Sequence, residues 1–336
     1  MKSKETRSWF MAAVFAGMMA VSCSGGAEEQ GILWTKSLPF LYDMNGNFGP
    51  VFCGDRIAIV RMERSRDSTK SWLKDRYYLQ TLALKTGDEV YETHLERNDV
   101  PLQVWSITPW GRKVVVSATY QTGPDFLRQR TGIVVIVDDQ GVYGNPILEN
   151  VPLKNLCVDE KNGLLLYSEK GDFVLVDLES GKEKARHSGA GLEHGLIADG
   201  KGDICVAMRS SDWMLYVQHE RDCATDVFVQ YEVEPWEKKW SATFGPEVGC
   251  VGRIAYEGQY LRFTVVRRDL ITTNGTSDEK WAAIGIDKHT GKQVELTHPY
   301  VPGVRKVQYD GRYYIVSINP DELQVRLSSE IPNVGK

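Results

Sequence analysis

A strand–turn–strand phrase that recurs three times constrains the fold of this chain more than any other feature. The three copies are LQTLALKTGDEVYETHL at 79–95, DFVLVDLESGKEKARHS at 172–188 and WAAIGIDKHTGKQVELTHP at 281–299. In each, a β-rich run ends in a turn centred on Thr86-Gly87, Ser180-Gly181 or Thr290-Gly291, and a polar run follows. Glycine supplies the positive φ that closes such a hairpin. We therefore predict three equivalent hairpins in an all-β domain.

Two further strands are expected before each hairpin of this kind. Paired apolar runs stand at 49–62, 104–119, 154–168, 194–208, 250–266 and 304–318. The hairpins resemble the outer hairpins of PQQ-like (quinoprotein-type) propeller repeats, and GPVFCGDRIAIVRME at 49–63 resembles the opening of that repeat. The resemblance implies one β-propeller of about six four-stranded blades over 31–336, closed by GILWTKSLP at 31–39 as the missing strand of the last blade. A β-sandwich or barrel with accidental turns is the alternative.

The N-terminus has the pattern of an export signal. Lys2, Lys4 and Arg7 precede an apolar run of 13 residues from Trp9 to Val21, which is shorter than the roughly 20 residues of a membrane-spanning helix. Ala20-Val21-Ser22-Cys23 resembles the lipobox of bacterial lipoproteins, although Ala20 replaces the usual large aliphatic residue. The resemblance implies a signal peptide over 1–22, lipidation of Cys23 and a flexible tether over 23–30.

The tether, with the sequence SGGAEEQ after Cys23, resembles the export tethers of Bacteroidetes envelope lipoproteins. We therefore expect an exported protein that is lipid-anchored to a bacterial outer membrane, on its periplasmic or its surface side. Ordinary secretory cleavage near Ala27 without a lipid is the alternative. A solvated linker would have the same composition.

The net charge limits the class of partner that is expected, and the number of cysteines limits the disulfides that can form. Removing the leader, with three positive charges and one negative charge, changes the net charge from −5 to −7, which argues against nucleic acid as a partner. Of the six cysteines, five remain besides Cys23, so at least one thiol stays free. Cys205 and Cys223 form the pair to test for a disulfide, and buried structural thiols are the alternative.

Four connections between the second and third strand of a predicted blade are long, at 61–76, 121–131, 209–225 and 267–280, whereas 169–172 and 319–322 are tight turns. Connections of one class leave a propeller on one face, and long loops on a rigid scaffold often bind ligands. The four segments sum to a charge of +3, against −10 for the rest of the mature chain. The candidate binding residues on this face are Arg61, Arg64, Arg66, Trp72, Phe126, Arg128, Arg130, Arg209, Trp213, Arg267 and Arg268. Packing of these aromatic side chains on the domain itself is the alternative.

These features favour a non-enzymatic envelope lipoprotein that binds an envelope protein or an extracellular glycan. No PQQ or other cofactor is expected, because adjacent cysteines are missing and the outer strands carry Tyr91, Ala185 and Glu295 where a docking Trp would repeat in the family. No metal site is expected either. The alternative is a lyase or hydrolase acting on glycans in the central channel. It would need paired carboxylates on the innermost strands, which offer little besides Asp159.

Overall fold

β-strands account for all of the regular secondary structure in the part of the chain that is described. A computed structural model of the protein describes residues 31–37, 50–63, 75–122, 129–151, 156–188, 193–198, 202–208, 227–244, 248–257, 259–267, 281–296, 304–319 and 322–328. Contacts divide the chain into two units, Met1–Gly31 and Ile32–Lys336. Since Gly31 alone is described in the first unit, the fold below is that of the second. No helix in the described ranges is long and apolar enough to cross a bilayer.

The described residues form strands β1 to β25. In chain order they are β1 (Ile32–Ser37), β2 (Val51–Cys53), β3 (Arg56–Glu63), β4 (Arg76–Ala83), β5 (Glu89–Arg97), β6 (Val100–Pro101), β7 (Gln103–Trp110), β8 (Lys113–Thr122), β9 (Gln129–Val137), β10 (Leu148–Glu149), β11 (Leu156–Asp159), β12 (Leu164–Glu169), β13 (Asp172–Asp177), β14 (Glu183–Ser188), β15 (Glu193–Ala198), β16 (Asp203–Met208), β17 (Val227–Glu232), β18 (Glu237–Thr243), β19 (Val248–Glu257), β20 (Tyr260–Arg267), β21 (Trp281–Asp287), β22 (Gln293–Leu296), β23 (Val304–Tyr309), β24 (Arg312–Asn319) and β25 (Glu322–Ser328).

These strands are hydrogen-bonded into antiparallel sheets that follow one another along the chain. We name them the first sheet (β2 to β6), the second (β7 to β10), the third (β11 to β14), the fourth (β15 to β18), the fifth (β19 to β22) and the closing sheet (β1, β25, β24, β23). The initial strands β2, β7, β11, β15 and β19 contact one another from sheet to sheet. Successive antiparallel sheets with their first strands innermost make a propeller, as the sequence predicted.

The prediction of four strands in each blade holds for five sheets and fails in the first, which has five. The extra strand β6 pairs with the end of β5 through Glu96↔Pro101 and Arg97↔Val100. Asn98 and Asp99 between them have φ values of 50° and 63°. Two successive positive φ values make a tight hairpin turn, so the chain folds back on itself after β5.

The closing sheet combines both ends of the domain. β1 pairs antiparallel with β25, with Lys36 opposite Leu323 and Ser37 opposite Glu322. This pairing confirms that the N-terminal strand completes the last blade. The edge of β25 is thereby paired within the chain, which removes it as a site for association with another chain.

The three recurrent turns have nearly identical backbone geometry. Gly87, Gly181 and Gly291 have φ values of 74°, 68° and 71°. Their N–H groups donate to the carbonyl oxygens of Ala83, Asp177 and Asp287, each at 2.8 Å. The predicted hairpin turns are therefore confirmed in the first, third and fifth sheets.

Each of the first four sheets buries both faces among its described residues, because it lies between two neighbours. One face of the first sheet packs Ile57, Ile59 and Leu82 against Tyr314 and Val325 of the closing sheet. Its other face contributes to the core with the second sheet, and further cores join the second to the third sheet, the third to the fourth, and the fourth to the fifth. Alternating side chains of a strand thus face opposite neighbours.

A docking tryptophan is present after all, in positions that the sequence analysis did not consider. Trp34 of β1 lies against Gly87 of the first sheet, and its Nε1 donates to the Leu84 carbonyl at 2.9 Å. Trp240 of β18 lies in the same way against Gly291 of the fifth sheet, with Nε1 donating to the Lys288 carbonyl at 2.8 Å. Tyr91, Ala185 and Glu295 do stand at the three outer-strand positions named from the sequence, and the two tryptophans come from other strands, β1 and β18.

Candidate functional site

The long connections leave the sheets at a common end. β3–β4, β8–β9, β16–β17 and β20–β21 are joined by 64–75, 123–128, 209–226 and 268–280, whereas β12–β13 and β24–β25 are joined by two residues each. All six connections join the second strand of a sheet to the third. We call this end of each sheet the loop side and the opposite end, with the recurrent glycine turns, the turn side.

Most of the predicted binding residues lie outside the described part of the chain. Arg64, Arg66, Trp72, Phe126, Arg128, Arg209, Trp213 and Arg268 belong to this group, as does Cys23. Arg130 lies in β9 and Arg267 in β20, each within two residues of the loop-side end of its strand. The side chain of Arg61 is described, and it can be compared directly with the prediction.

Arg61 is engaged by its own sheet. Its Nε and Nη2 donate to Oε2 of Glu92 at 2.8 and 2.5 Å, and its guanidinium carbon lies 5.3 Å from the centre of the Tyr78 ring. Arg61, Tyr78 and His94 are cross-strand neighbours on β3, β4 and β5. Both the charge and the π face of this arginine are thus used within the domain.

The side chains next to Arg61 on β4 and β5 also contact one another. The Tyr78 ring stacks on His94 at 5.0 Å between centroids, and the Tyr78 hydroxyl donates to Oε2 of Glu63 at 3.1 Å. His94 Nδ1 lies 3.1 Å from Oε2 of Glu96. Arg61 therefore stabilises the loop-side end of the first sheet, and it does not present a free guanidinium to a ligand.

Asp159, the carboxylate that the channel hypothesis named on an innermost strand, serves a turn. Its side chain is fully buried, and Oδ2 accepts a hydrogen bond from Asn162 Nδ2 at 2.6 Å. Asn162 lies between β11 and β12, so the contact spans the turn that joins them. A carboxylate held in this way is not accessible to a substrate in the channel.

Three innermost strands share an irregularity near the loop side. β7 is bulged between Val104 and Ser106, β15 between Glu193 and Gly195, and β19 between Val248 and Cys250. The residues without a cross-strand partner are therefore Trp105, His194 and Gly249. Bulges redirect side chains, and they are frequent beside functional sites.

Trp105 is a candidate site residue that the sequence analysis missed. It is 37% exposed, although tryptophan is usually well buried. Its Nε1 donates to Oγ1 of Thr119 on β8 at 3.1 Å, and the neighbouring Ser106 and Ser117 hydroxyls lie 2.5 Å apart. The signal in the sequence is the stretch Gln103-Val104-Trp105-Ser106. Since neighbouring residues of a strand face opposite sides and Val104 is buried, Trp105 faces solvent.

Two cysteine side chains are described, and their burial indicates a structural role. Cys53 and Cys157 are free thiols and buried in the cores. Burial raises the pKa of Cys53 to about 12, and burial also raises the pKa of Cys157. Both thiols stay protonated at neutral pH and are poor nucleophiles. Cys205 lies in β16 and Cys223 outside the described residues, so a disulfide between them stays a prediction.

Acidic and histidine side chains do not gather into a metal site in the described ranges. No group of three or more His, Cys, Asp or Glu residues there could hold an ion. Asp43-Met44-Asn45-Gly46-Asn47, whose spacing matches half of a calcium loop, lies outside these ranges.

Comparisons with known proteins find likenesses in structure alone. No protein family model and no curated protein sequence matches the chain. The chain is similar to the WD40 domain of Neurospora crassa Pan2, with 10% identity, a TM-score of 0.47 and coverage of 89% of this chain and 95% of that one. It is also similar to the Pyrococcus horikoshii acylaminoacyl peptidase, with 12% identity and a TM-score of 0.47 over 87% of this chain and 46% of the peptidase. A chain of the mitotic checkpoint complex matches at 8% identity and a TM-score of 0.42 over 98% and 97% of the two chains.

Proposed function

We propose that this propeller is the binding module of an exported envelope lipoprotein and that it receives its partner on the loop side. One observation supports this above all others. Four long connections of one class join the second strand of a sheet to the third, and all four emerge at the same end of their sheets. Rigid sheets that carry long loops at one end are the usual design of a binding surface.

The positive charge that the sequence assigned to the loop side lies largely in the strands. Arg61, Arg76, Arg130 and Arg267 are strand residues, and the connections at 64–75, 123–128, 209–226 and 268–280 sum to a charge of −1. On the turn side, charged side chains pair with each other between sheets, as Lys85 does with Asp310 and Arg112 with Asp55. We therefore infer binding on the loop side from the common end of the long connections and not from their charge.

The contacts of Arg61 change how the loop side should be tested. Replacing Arg61 would leave Glu92 without its partner and would disturb the first sheet. Arg64, Arg66 and Trp72 belong to the first long connection, and Phe126 and Arg128 to the second. A variant that changes those five residues to Ser, with Arg61 retained, tests binding without removing the partner of Glu92.

The direct test is site-specific photocrosslinking in intact cells. We expect a photoreactive residue at Trp72, Phe126 or Trp213 to capture one discrete envelope protein or polymer. Val142, which is 63% exposed in the turn-side connection after β9, provides the matched control. Equal capture from Val142, or none from the three loop positions, would contradict binding on the loop side.

Lipid anchoring has a separate test. The full-length protein should incorporate an alkyne fatty acid and partition into membranes, and Cys23→Ser should abolish both. Ser22→Ala keeps a small residue before the cysteine and should leave labelling unchanged. A soluble, unlabelled protein whose N-terminus lies near Ala27 would instead establish ordinary secretory cleavage.

A further inference from the structure

Trp105 occupies an unusual place for an exposed tryptophan. It lies on β7, the innermost strand of the second sheet, in the half of the strand nearest the loop side. Because of the bulge between Val104 and Ser106, no residue of β8 is paired with it in the strand register. A large apolar ring on an innermost strand is therefore left partly open to solvent, at 37% exposure.

The orientation of the indole is fixed by a hydrogen bond. Nε1 donates to Oγ1 of Thr119, and Thr119 is itself 8% exposed and held in β8. The indole has a single polar hydrogen, and this contact uses it. What remains to interact with a ligand is the π surface of a ring that is already positioned, which lowers the entropy lost on binding.

The polar side chains in the cross-strand rows beside Trp105 are uncharged. The bulge lies between the apolar row Val104–Ala118–Ile133 and the row Ser106–Ser117–Val134. The next row toward the loop side is Gln103–Thr119–Gly132. Within these rows the polar groups are one amide and three hydroxyls, and Gln103 and Ser106 are partly exposed. An ionic ligand would require an opposite charge near the ring, whereas a neutral ligand with hydroxyl groups requires hydrogen-bonding groups alone.

We propose that Trp105 is a stacking platform for a sugar ring of a neutral glycan at the loop-side mouth of the propeller. A pyranose has an apolar C–H face that lies flat on an aromatic ring, and its edge carries hydroxyl groups that hydrogen-bond to amides and hydroxyls. Gln103 and Ser106 are the partly exposed residues that can meet that edge. This inference rests on the proposed function and specifies one ligand class for the loop side.

The test is calorimetric titration of the full-length protein, kept in a detergent without a sugar head group. The probes are maltoheptaose, cellohexaose and mannohexaose. We expect at least one of them to bind at millimolar concentration or below, and Trp105→Ala to weaken its binding roughly tenfold. Trp105→Phe retains a flat ring and should lose about threefold or less.

Trp110 supplies the matched control, because it lies on the same strand at the turn side and packs against Lys113. Trp110→Ala should leave affinity for the sugar unchanged. Thermal unfolding of each variant shows whether it is folded, and Gln103→Ala tests the polar edge if Trp105→Ala does not fold. Absence of binding to all three probes, or equal binding by wild type and Trp105→Ala, overturns the inference.

The two proposals can fail separately. A photoreactive residue at position 72 or 213 could capture a protein while none of the three sugars binds. In that case binding on the loop side stands, and the proposal that Trp105 is a sugar platform is wrong. If Trp105→Ala also abolishes that protein crosslink, Trp105 is a protein contact and the sugar inference is equally overturned. If a sugar binds through Trp105 while the loop positions crosslink nothing, the sugar platform stands and the long connections are not the binding surface.

Discussion

At two junctions between neighbouring sheets a tryptophan ring fills the space between them, but the ring comes from a different element at each junction. Between the fourth and fifth sheets the outer strand supplies Trp240, and the turn of the next sheet supplies Gly291. Between the third and fourth sheets the turn itself supplies Trp236, which stacks on His187 of the outer strand at 4.6 Å and on Tyr231 at 4.8 Å. A flat ring is common to both junctions, and glycine is required where the ring comes from the strand.

Gly87→Ala should give the largest effect. Its φ is +74°, and an added Cβ would lie 2.7 Å from Cδ2 of Trp34, a ring that its bond to Leu84 holds in place. We expect a loss of about 2–5 kcal/mol of unfolding free energy, from left-handed strain and crowding together. Urea denaturation measures this loss.

Gly111→Ala is the control for Gly87→Ala. Gly111 has a similar φ of +61°, and nothing lies within 4 Å of its Cβ position. The Gly111→Ala variant should lose about 1–2 kcal/mol of unfolding free energy, from the backbone strain alone. Equal losses for the two variants would show that the contact with Trp34 does not require glycine.

Trp240→Ala should cost about 2–4 kcal/mol, because it empties the space between the fourth and fifth sheets. The double variant Trp240→Ala/Gly291→Ala should lose less unfolding free energy than the sum of the losses in the two single variants. The added Cβ at Gly291 would otherwise lie 2.9 Å from the Trp240 ring, and that contact is lost in the double variant. A double-mutant cycle in urea measures the coupling, and additive losses would contradict direct docking.

His187→Ala should have a smaller effect at the other junction. The His187 and Trp236 rings are nearly parallel, with 2° between their planes. Removing one ring of such a stack should cost about 0.5–1.5 kcal/mol, and His187→Phe should restore most of it. Thermal unfolding compares the two variants, and equal melting temperatures for both and for wild type would show that the stack does not stabilise the junction.

The smallest effect is a pH dependence that distinguishes the recurrent turns. Hydrogen bonds from the Ser180 side chain and backbone lower the pKa of the Asp177 carboxyl below its usual value. Burial would raise the pKa of Asp287, but hydrogen bonds from Thr290 and His289 outweigh it and lower the pKa. The first sheet has Ala83 at this position of its turn.

Lowered carboxyl pKa values stabilise the folded state above the unfolded pKa, and the stabilisation is lost as the pH falls through the folded value. Below about pH 4 the turns at Gly181 and Gly291 should therefore loosen before the turn at Gly87. Hydrogen exchange of the three glycine amides at pH 7 and pH 3 measures this order. Identical protection of the three amides at pH 3 would contradict it.

The sequence predicted the hairpins better than the candidate site. A hairpin needs a glycine at one position and strand formers on both sides, and these signals lie within a few residues of each other. Arg61 looked available because its partner Glu92 lies 31 positions away on another strand. Trp105 was overlooked because its alternation with the buried Val104 is a weak signal, and the sequence does not mark the position at which a ladder slips by one residue.

The sequence by itself determined the all-β class, the positions of the recurrent turns and the closure by the N-terminal strand. The fold class and the turns follow from backbone preferences and apolar alternation, which act between near neighbours and repeat along the chain. The closure follows from the strand that the last repeat lacks. The tertiary structure alone decided which ring docks on which turn, since Trp34 bonds to Leu84 across 50 positions and Trp240 to Lys288 across 48. Such contacts join neighbouring sheets, and they depend on how two twisted sheets pack together, which no local pattern encodes.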